Sequence, residues 1–353
     1  MKKVALGIAV SLICLGLVLW NVDWRDVWAN LGKVNLPLLG LAMLAMLVAY
    51  ALMSWRWQQL LEPLVPREHL GVPGLFAAMM TGYLFNTFFP ARAGDLMRAH
   101  LLSRRTGLTK TTILATVVLE KIFDGLALLV LLVVGLLGLP LSGASAQIGG
   151  ASLAVLVAAL GALVLFKWQA ARAVTFTEWL MGYLPIPARL KQVAARLGGR
   201  FAEGLGVFER PGPLIKAAAI SLLVWLVVAG MFWAALAAFN MPPAVETLSA
   251  LLFLTALVNL GLLVPAMPGN VGTYEGLVIW SLLLIVPGLD KDLRVAFALL
   301  FHVGQLVTTL AVGIPAFWSQ NVSLREAQAE EREAITAPAE PVPVEAGLGI
   351  ERL

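Results

Sequence analysis

The sequence predicts an all-α polytopic membrane protein with about six spanning helices and two re-entrant helical hairpins in an inverted repeat. Hydrophobic residues make up 60% of the 353 residues and charged residues 13%, a composition that excludes a soluble fold. Several apolar runs can cross a bilayer of about 30 Å at about 1.5 Å per residue. Two stretches with the shared pattern P-A-x-x-G-[D/N], beginning at Pro90 and Pro265, interrupt the apolar sequence.

Six apolar runs are predicted to span the membrane. The first, Val4–Trp20, follows Lys2-Lys3, exceeds the usual signal-peptide core and precedes no A-x-A-like cleavage site, so we expect an uncleaved span. The other five are Leu36–Met53, Thr112–Leu139, Ile148–Phe166, Ala217–Phe239 and Val295–Trp318.

The two interrupted regions, Leu75–Leu102 and Leu248–Val286, contain the two P-A-x-x-G repeats. Proline and glycine at membrane depth break a helix, and the freed backbone groups then need polar partners or water. A broken apolar segment in corresponding positions of two halves is a sequence pointer to a transporter's binding site. The pattern therefore favours a translocator of lipid or solute.

The distribution of positive charge predicts the orientation. Lys and Arg collect between Lys167 and Lys216 and again at Arg104, Arg105 and Lys110, which predicts that both stretches are cytoplasmic. This orientation requires the first interrupted region to enter from the cytoplasm and return there, and the second to enter from outside. Two inverted halves of about 1–140 and 148–320 follow, in a plasma (inner) membrane protein with both termini cytoplasmic.

The segments outside the apolar runs predict partners at the membrane surface. The net charge is +4, and residues 321–353 carry seven Glu and three Arg, which leaves +8 on residues 1–320. Pro187–Phe208 is amphipathic and basic, which favours an interfacial helix on anionic lipid, with a partner-binding helix as the alternative. The acidic, Pro-rich tail is expected to be largely disordered. Nucleic acid, cofactors and metals are not expected, and the oligomeric state is open.

Polar residues at membrane depth are the candidate site, because an ionisable group there costs about 2.5–3.5 kcal/mol and normally faces a cavity or a partner. These candidate substrate-binding residues are Arg92, Asp95, Arg98, Glu120, Lys121, Asp124, Asn270, Tyr274 and Glu275. His302 is interpreted as a hydrogen-bonded packing residue. Helix ends after Gly94 and Gly269 are expected to present free N–H groups to an anion.

Two roles are open for these charges. Arginine suits a phosphate, because its planar guanidinium donates two parallel hydrogen bonds to oxygen. The alternative is structural: Arg92 could pair with Asp124, or Lys121 with Asp95, only to neutralise buried charge.

Three motifs resemble one known family. The run from Asn86 to Arg98 is similar to N-x-x-x-P-A-R-x-G-[DE]-x-x-R, and Val118–Asp124 is similar to V-x-E-[RK]-x-x-D. Pro268–Glu275 is similar to P-G-[GN]-x-G-x-x-E. Together they resemble the lysylphosphatidylglycerol synthase transmembrane-region family, which implies a flippase-type membrane domain. About 35 residues follow the last predicted span, so neither an aminoacyltransferase domain nor lipid aminoacylation is expected.

The leading hypothesis is a lipid translocase that moves a phospholipid or a polyprenyl-phosphate-linked lipid by alternating access. Arg92, Arg98 and Lys121 would hold the phosphate, while Glu120, Asp124 and Glu275 would balance charge or bind a cationic headgroup. One alternative is an integral-membrane glycosyltransferase that uses a polyprenyl-phosphate donor, with Asp290-Lys291-Asp292 in an outer loop. The other is a non-catalytic membrane subunit that recruits a cytoplasmic enzyme.

Overall fold

The computed structural model describes residues 22–66, 70–89, 92–139, 211–263 and 268–320, with isolated positions at 16, 19, 20 and 151. Within these ranges the chain is helical and contains no strand. The helices are α1 Trp24–Leu31, α2 Leu36–Leu61, α3 Val72–Phe88, α4 Ala93–Thr106, α5 Lys110–Leu137, α6 Pro211–Ala238, α7 Leu248–Gly261, α8 Thr273–Ile285 and α9 Lys291–Ser319. Short 3₁₀ helices occupy Pro243–Val245 and Pro268–Asn270.

Three helices of the described ranges are long and apolar enough to cross a membrane. They are Leu36–Leu61, Gly212–Ala238 and Lys291–Ser319. Helix α5 is also long, at 28 residues, but carries Glu120, Lys121 and Asp124 near its middle. These four helices cover four of the six predicted runs. The runs Val4–Trp20 and Ile148–Phe166, the basic loop and the acidic tail lie outside the described residues.

Side-chain caps fix where the helices begin. Asn35 Oδ1 accepts a hydrogen bond from the Leu38 amide at the start of α2, at 3.2 Å. Thr109 and Thr247 cap α5 and α7 in the same way. Asp23 caps α1, because Asp23 Oδ1 accepts a hydrogen bond from the Arg25 amide. Polar caps of this kind satisfy amides that the first helical turn leaves unpaired.

Helices α3 and α4 with the break between them form an antiparallel pair that we call hairpin 1. Their backbones touch near the break, where a Cβ on Gly82 would lie 2.8 Å from the Gly94 carbonyl oxygen. At the other end, Gly74 of α3 lies against the Arg105 side chain of α4. The start of α3 and the end of α4, which form the end of hairpin 1 away from its break, therefore lie at the end of the molecule where α2 ends and α5 begins.

Helices α7 and α8 with the break between them form a second antiparallel pair, hairpin 2. The start of α7 packs on the end of α5, where a Cβ on Gly135 would lie 2.7 Å from the Phe253 amide nitrogen. The end of α8 approaches the 3₁₀ turn Pro243–Val245, which also contacts α7. The start of α7 and the end of α8, which form the end of hairpin 2 away from its break, therefore lie at the opposite end of the molecule from the corresponding end of hairpin 1.

The two breaks contact each other. A Cβ on Gly269 would lie 3.5 Å from the Thr87 carbonyl oxygen at the end of α3. From the other side, the Arg92 Nη2 donates a hydrogen bond of 2.9 Å to the Leu262 carbonyl oxygen at the end of α7. Left-handed backbone marks both breaks, with φ of 56° at Arg92 and 68° at Gly269. Glycine adopts this conformation readily, whereas Arg92 adopts it only where its surroundings hold it.

The close approach of α3 and α4 predicts a large effect of one methyl group. In Gly94→Ala, the new Cβ would overlap the Gly82 carbonyl oxygen, so hairpin 1 must open or distort. Overpacking of this kind typically costs about 1–3 kcal/mol. We expect a lower thermal unfolding midpoint in detergent for Gly94→Ala.

The matched control is Gly230→Ala in α6, because a Cβ on Gly230 meets nothing within 4 Å. This variant should unfold at the wild-type temperature or slightly above it, since alanine is the better helix former. Equal unfolding midpoints for Gly94→Ala and Gly230→Ala would contradict the described packing of hairpin 1.

Candidate functional site

Arg98 of α4 holds Glu120 of α5 in a two-pronged ion pair. The Arg98 Nη1 lies 3.2 Å from Glu120 Oε2 and its Nη2 lies 3.1 Å from Oε1, and both residues are buried. Asp95 Oδ1 lies 3.1 Å from the Arg98 Nη2 as an ion pair, and the Trp57 ring centroid lies 5.1 Å from the Arg98 Cζ. Parallel N–H···O bonds fix the orientation of both partners, so this contact holds hairpin 1 against α5.

Arg56 of α2 holds Asp124 one helical turn along α5. The Arg56 Nη1 donates to Asp124 Oδ1, and its Nη2 lies 3.2 Å from Oδ2 and 3.6 Å from Glu120 Oε1. Helix α6 completes the contact, because Ser221 accepts from Arg56 at 2.9 Å and Trp225 donates to Asp124 at 3.0 Å. One arginine thus joins α2, α5 and α6.

The formal charges of this group cancel. We call the group the charge cluster, and it consists of Arg56, Arg98, Lys121, Asp95, Glu120 and Asp124. Lys121 Nζ lies 3.5 Å from Glu120 Oε1, and its side chain is 31% exposed, while that of Asp95 is 18% exposed. Arg56 and Arg98 are buried at the centre of the charge cluster, and the more exposed Lys121 and Asp95 lie at its edge. The Nε atoms of Arg56 and Arg98 are buried without a hydrogen-bond partner.

The structure brings five of the nine predicted site residues into the charge cluster: Asp95, Arg98, Glu120, Lys121 and Asp124. The structural pairing considered in the sequence, Arg92 with Asp124 and Lys121 with Asp95, differs from that observed. Asp124 pairs with Arg56 and Asp95 pairs with Arg98. Arg56 was missed because the apolar run appeared to end at Met53, although the helix continues to Leu61.

Arg92 occupies the junction of the two breaks outside the charge cluster. Its hydrogen bond within the described part of the chain goes to the Leu262 carbonyl oxygen, which carries no formal charge. The ion pairs found among the described residues leave Arg92 without a carboxylate partner. Within the part of the chain that the structure describes, the charge of Arg92 is therefore not neutralised, and its side chain is partly shielded from solvent.

Glu275 organises the break of hairpin 2. Its Oε2 accepts from the Gly272 amide at 2.7 Å, and its Oε1 lies 2.7 Å from His302 Nδ1 of α9. Tyr274 stacks on the His302 ring at 4.4 Å and accepts a hydrogen bond from Gln305 Nε2 at 2.5 Å. Three predicted residues thus lie in or beside this break, with Asn270 in the left-handed conformation at φ of 57°.

Free N–H groups were expected after Gly94 and Gly269, and one described amide at each of these helix starts has a side-chain partner within the protein. The Gly94 amide donates to Asn86 Oδ1 at 2.8 Å, and the Gly272 amide donates to Glu275 Oε2. Side chains satisfy these amides because both lie in close helix contacts away from water. Arg92 is the cationic side chain at this junction.

An apolar cavity of about 210 Å³ lies beside the end of α3. Its lining consists of Leu84, Phe85, Phe88, Phe89, Ile314, Phe317 and Trp318. Phe88 and Trp318 are exposed, so the cavity is open to the surface. Its lining residue Phe89 precedes Arg92 by three positions in the sequence.

The Asp290-Lys291-Asp292 triplet has a structural role at the start of α9. Asp290 Oδ1 accepts from the Leu293 amide at 2.7 Å, as a helix cap does. Asp292 Oδ1 accepts from the Asp23 amide at 3.2 Å and joins α9 to the start of α1. In the described ranges, no three His, Cys, Asp or Glu side chains group as a metal site would.

Broken helices with buried ion pairs and at least three helices able to cross a membrane define a polytopic helical membrane protein. The chain belongs to the lysylphosphatidylglycerol synthase transmembrane-region family, whose model matches residues 4–313. The resemblance predicted from the motifs is thereby confirmed.

One curated relative is similar along nearly the whole chain. It is the glycosyltransferase AglD of Haloferax volcanii, which is 26% identical over 356 aligned positions that cover 93% of this chain. The chain spans 56% of the length of that relative.

The buried pairing predicts a large stability loss from one substitution. In Arg56→Gln, Asp124 would keep a buried charge without its cation, and breaking a buried pair from one side costs about 3–5 kcal/mol. We expect a strongly lowered thermal unfolding midpoint in detergent. Arg25→Gln is the control, because Arg25 is exposed on α1, and it should unfold as the wild type does.

The double variant Arg56→Gln/Asp124→Asn shows whether stability depends on the Arg56–Asp124 ion pair or on the packing of the two side chains. Removing both charges leaves no unpaired ion, so part of the stability should return relative to Arg56→Gln alone. If the two substitutions destabilise additively, the Arg56–Asp124 pair is not what holds α2 against α5.

Proposed function

We propose that this protein translocates a lipid with a phosphate-containing headgroup, a phospholipid or a polyprenyl-phosphate-linked lipid, between the leaflets of the plasma membrane. The observation that carries the proposal is Arg92, a cation where the two helix breaks meet, for which the described residues supply no carboxylate partner. A guanidinium binds phosphate well because its N–H groups match two oxygens. Membership of a family named after a lipid synthase supports lipid as the substrate.

The opposed hairpins support alternating access. We infer that hairpin 1 enters from the cytoplasm and hairpin 2 from outside, as inverted repeats of about 1–140 and 148–320 within a transmembrane domain of residues 1–320. The contact of Gly269 with Thr87 would then lie near mid-membrane. Transporters of this type place the substrate between discontinuous helices at that depth. Both termini, including the acidic tail 321–353, would be cytoplasmic.

The other residues of the site take supporting roles in this proposal. Lys121 is the most exposed cation of the charge cluster, so it is the second candidate for the phosphate. Arg98 is occupied by Glu120 and Asp95 and would position hairpin 1. Asn270 and Tyr274 would contact the headgroup from hairpin 2. Glu120, Asp124 and Glu275 would keep the site electrically balanced.

The apolar cavity beside α3 supports a lipid rather than a soluble phosphate as substrate. An aromatic and aliphatic lining suits one hydrocarbon chain of the lipid while Arg92 holds the headgroup. The basic stretch between Lys167 and Lys216 would bind anionic lipid at the cytoplasmic surface.

Substitution of Arg92 tests the phosphate contact. Loss of a charge-assisted contact to a phosphate should cost about 1.5–3 kcal/mol, or roughly a ten- to a hundredfold loss of affinity. Arg92→Gln should therefore slow translocation of fluorescent phosphatidylglycerol in reconstituted vesicles, measured by dithionite quenching. Arg92→Lys should be intermediate, because lysine keeps the charge but not the planar geometry.

Arg25→Gln in the exposed part of α1 serves as the transport control and should translocate at the wild-type rate. A folded Arg92→Gln protein that translocates normally would contradict the phosphate contact. If Arg92→Gln unfolds instead, Arg92 acts in the folding of the junction, and the proposal fails in this form.

Cysteine labelling tests the orientation. In a Cys14→Ser background, cysteines introduced at the exposed positions of the ranges 240–246 and 287–293 should react with a membrane-impermeant maleimide in intact cells. Arg104→Cys should react only after permeabilisation, because hairpin 1 would return to the cytoplasm there. Labelling of Arg104→Cys in intact cells would rule out a re-entrant hairpin 1 and the inverted repeat with it.

The second candidate function is an integral-membrane glycosyltransferase, and the similarity to AglD favours it. Asp290→Asn separates the two functions, because an enzyme that used this triplet would lose sugar transfer from a polyprenyl-phosphate donor. The translocase proposal expects only a small stability change from the weakened cap of α9, about 0.5–2 kcal/mol at most.

A further inference from the structure

Each hairpin is held by a side-chain pair between its returning helix and the next long helix, but the residue types in the two pairs differ. In hairpin 1, Arg98 on the returning helix α4 binds Glu120 on the long helix that follows. In hairpin 2, Glu275 on the returning helix α8 binds His302 on the long helix that follows. A guanidinium stays protonated at every physiological pH, whereas histidine gains and loses its proton near neutrality. The two halves therefore differ in whether their pair can change charge.

From this comparison we propose that Glu275 and His302 form a proton-binding site that couples the position of hairpin 2 to pH and so drives the proposed lipid translocation. The inference rests on the proposed function. With one proton bound, His302 is a cation and Glu275 an anion, so the pair is neutral overall. Release of that proton leaves a net charge of −1 in a buried site, and the pair holds α8 against α9 less firmly.

The geometry around Glu275 gives the proton a mechanical consequence. One carboxylate joins the Gly272 amide in the break, the first turn of α8 and His302 of α9. Gly269, Asn270 and Gly272 all have positive φ, so the break has a left-handed backbone at three positions. A change in the Glu275–His302 contact therefore acts directly on the segment that meets hairpin 1.

Arg92 faces the break of hairpin 2 through its hydrogen bond to the Leu262 carbonyl oxygen, and few other titratable groups lie around this pair. Helix α7 carries none, and α3 carries only Tyr83. The remaining titratable or charged groups on elements packed against α8 and α9 are Tyr274 on α8, Tyr50 and Arg56 on α2, and Arg25 and Asp26 on α1. On α9 itself, Lys291, Asp292 and Arg294 lie at the start of the helix, far from His302. There Asp292 accepts a hydrogen bond from the Asp23 amide at the start of α1. Tyr274 stacks on His302, and Tyr50 contacts Thr309 two turns further along α9.

The test compares the wild type with His302→Gln and with His100→Gln as the matched histidine control on α4. Amide hydrogen exchange of residues 268–276 in detergent, corrected for the intrinsic pH dependence of exchange, reports on hairpin 2 without any lipid transport. The wild type should exchange at least about threefold faster at pH 8 than at pH 6, because the proposal has the proton released at the higher pH. His100→Gln should behave as the wild type, and His302→Gln should show no pH dependence, near the high-pH value.

Translocation of fluorescent phosphatidylglycerol by the same three proteins in vesicles should follow the same pattern. Glu275→Gln is the second variant if His302→Gln does not fold, and it should lose the pH dependence likewise. A wild type whose segment 268–276 is insensitive to pH, or a His302→Gln protein with the wild-type pH dependence, would overturn the inference. Translocation that proceeds at one rate at both pH values overturns the coupling while the translocase proposal stands.

The opposite failure is also distinguishable. If exchange in segment 268–276 depends on pH through His302 but no variant and no wild-type protein moves lipid, the proton site is supported and the translocase proposal fails.

Discussion

The structure depends on the neutralisation of buried arginines by two carboxylates on one helix. Glu120 and Asp124 lie one turn apart on α5, so they face the same neighbours, and each takes one arginine from a different helix. Arg56 brings in α2 with Ser221 and Trp225 of α6, and Arg98 brings in hairpin 1. Because arginine cannot lose its proton in a protein, both carboxylates must remain in place. The position of hairpin 1, and hence of its break, follows from these two pairs.

The charged residues of this arrangement fall into two groups: those that hold helices together, and Arg92, which pairs with no carboxylate among the described residues. The charges inside the charge cluster cancel, whereas Arg92 at the junction is bound to a backbone carbonyl of hairpin 2. An anionic headgroup would compete with that carbonyl for the guanidinium. Exchange of the Leu262 carbonyl for a phosphate would therefore loosen one contact between the hairpins when substrate arrives. In the proposed translocase, the apolar cavity beside α3 would take the hydrocarbon end of the lipid and Arg92 the headgroup.

The sequence predicted the helical class, the family and the positions of both helix breaks, because apolar runs and Pro/Gly interruptions are local signals. It also predicted that Arg98, Glu120 and Asp124 belong to a site within the apolar part of the protein, and all three are buried. The partners could not be predicted, since they depend on how helices rotate against one another. Arg56 is the clearest example: it lies between Trp55 and Trp57, a context typical of a membrane interface, yet it is fully buried. His302 gave no signal beyond its residue type, because its contact with Glu275 spans 27 positions.

The most direct test of a lipid path between the hairpin breaks is photo-crosslinking in vesicles. A phosphatidylglycerol probe with a photoreactive group on its headgroup would be irradiated with the wild-type protein, and the adducts located by peptide mass spectrometry. The account predicts adducts in residues 86–98 and 262–275, with competition by unlabelled phosphatidylglycerol. Adducts confined to the exposed apolar residues of α2, such as Leu41, Leu44 and Val48, would contradict it.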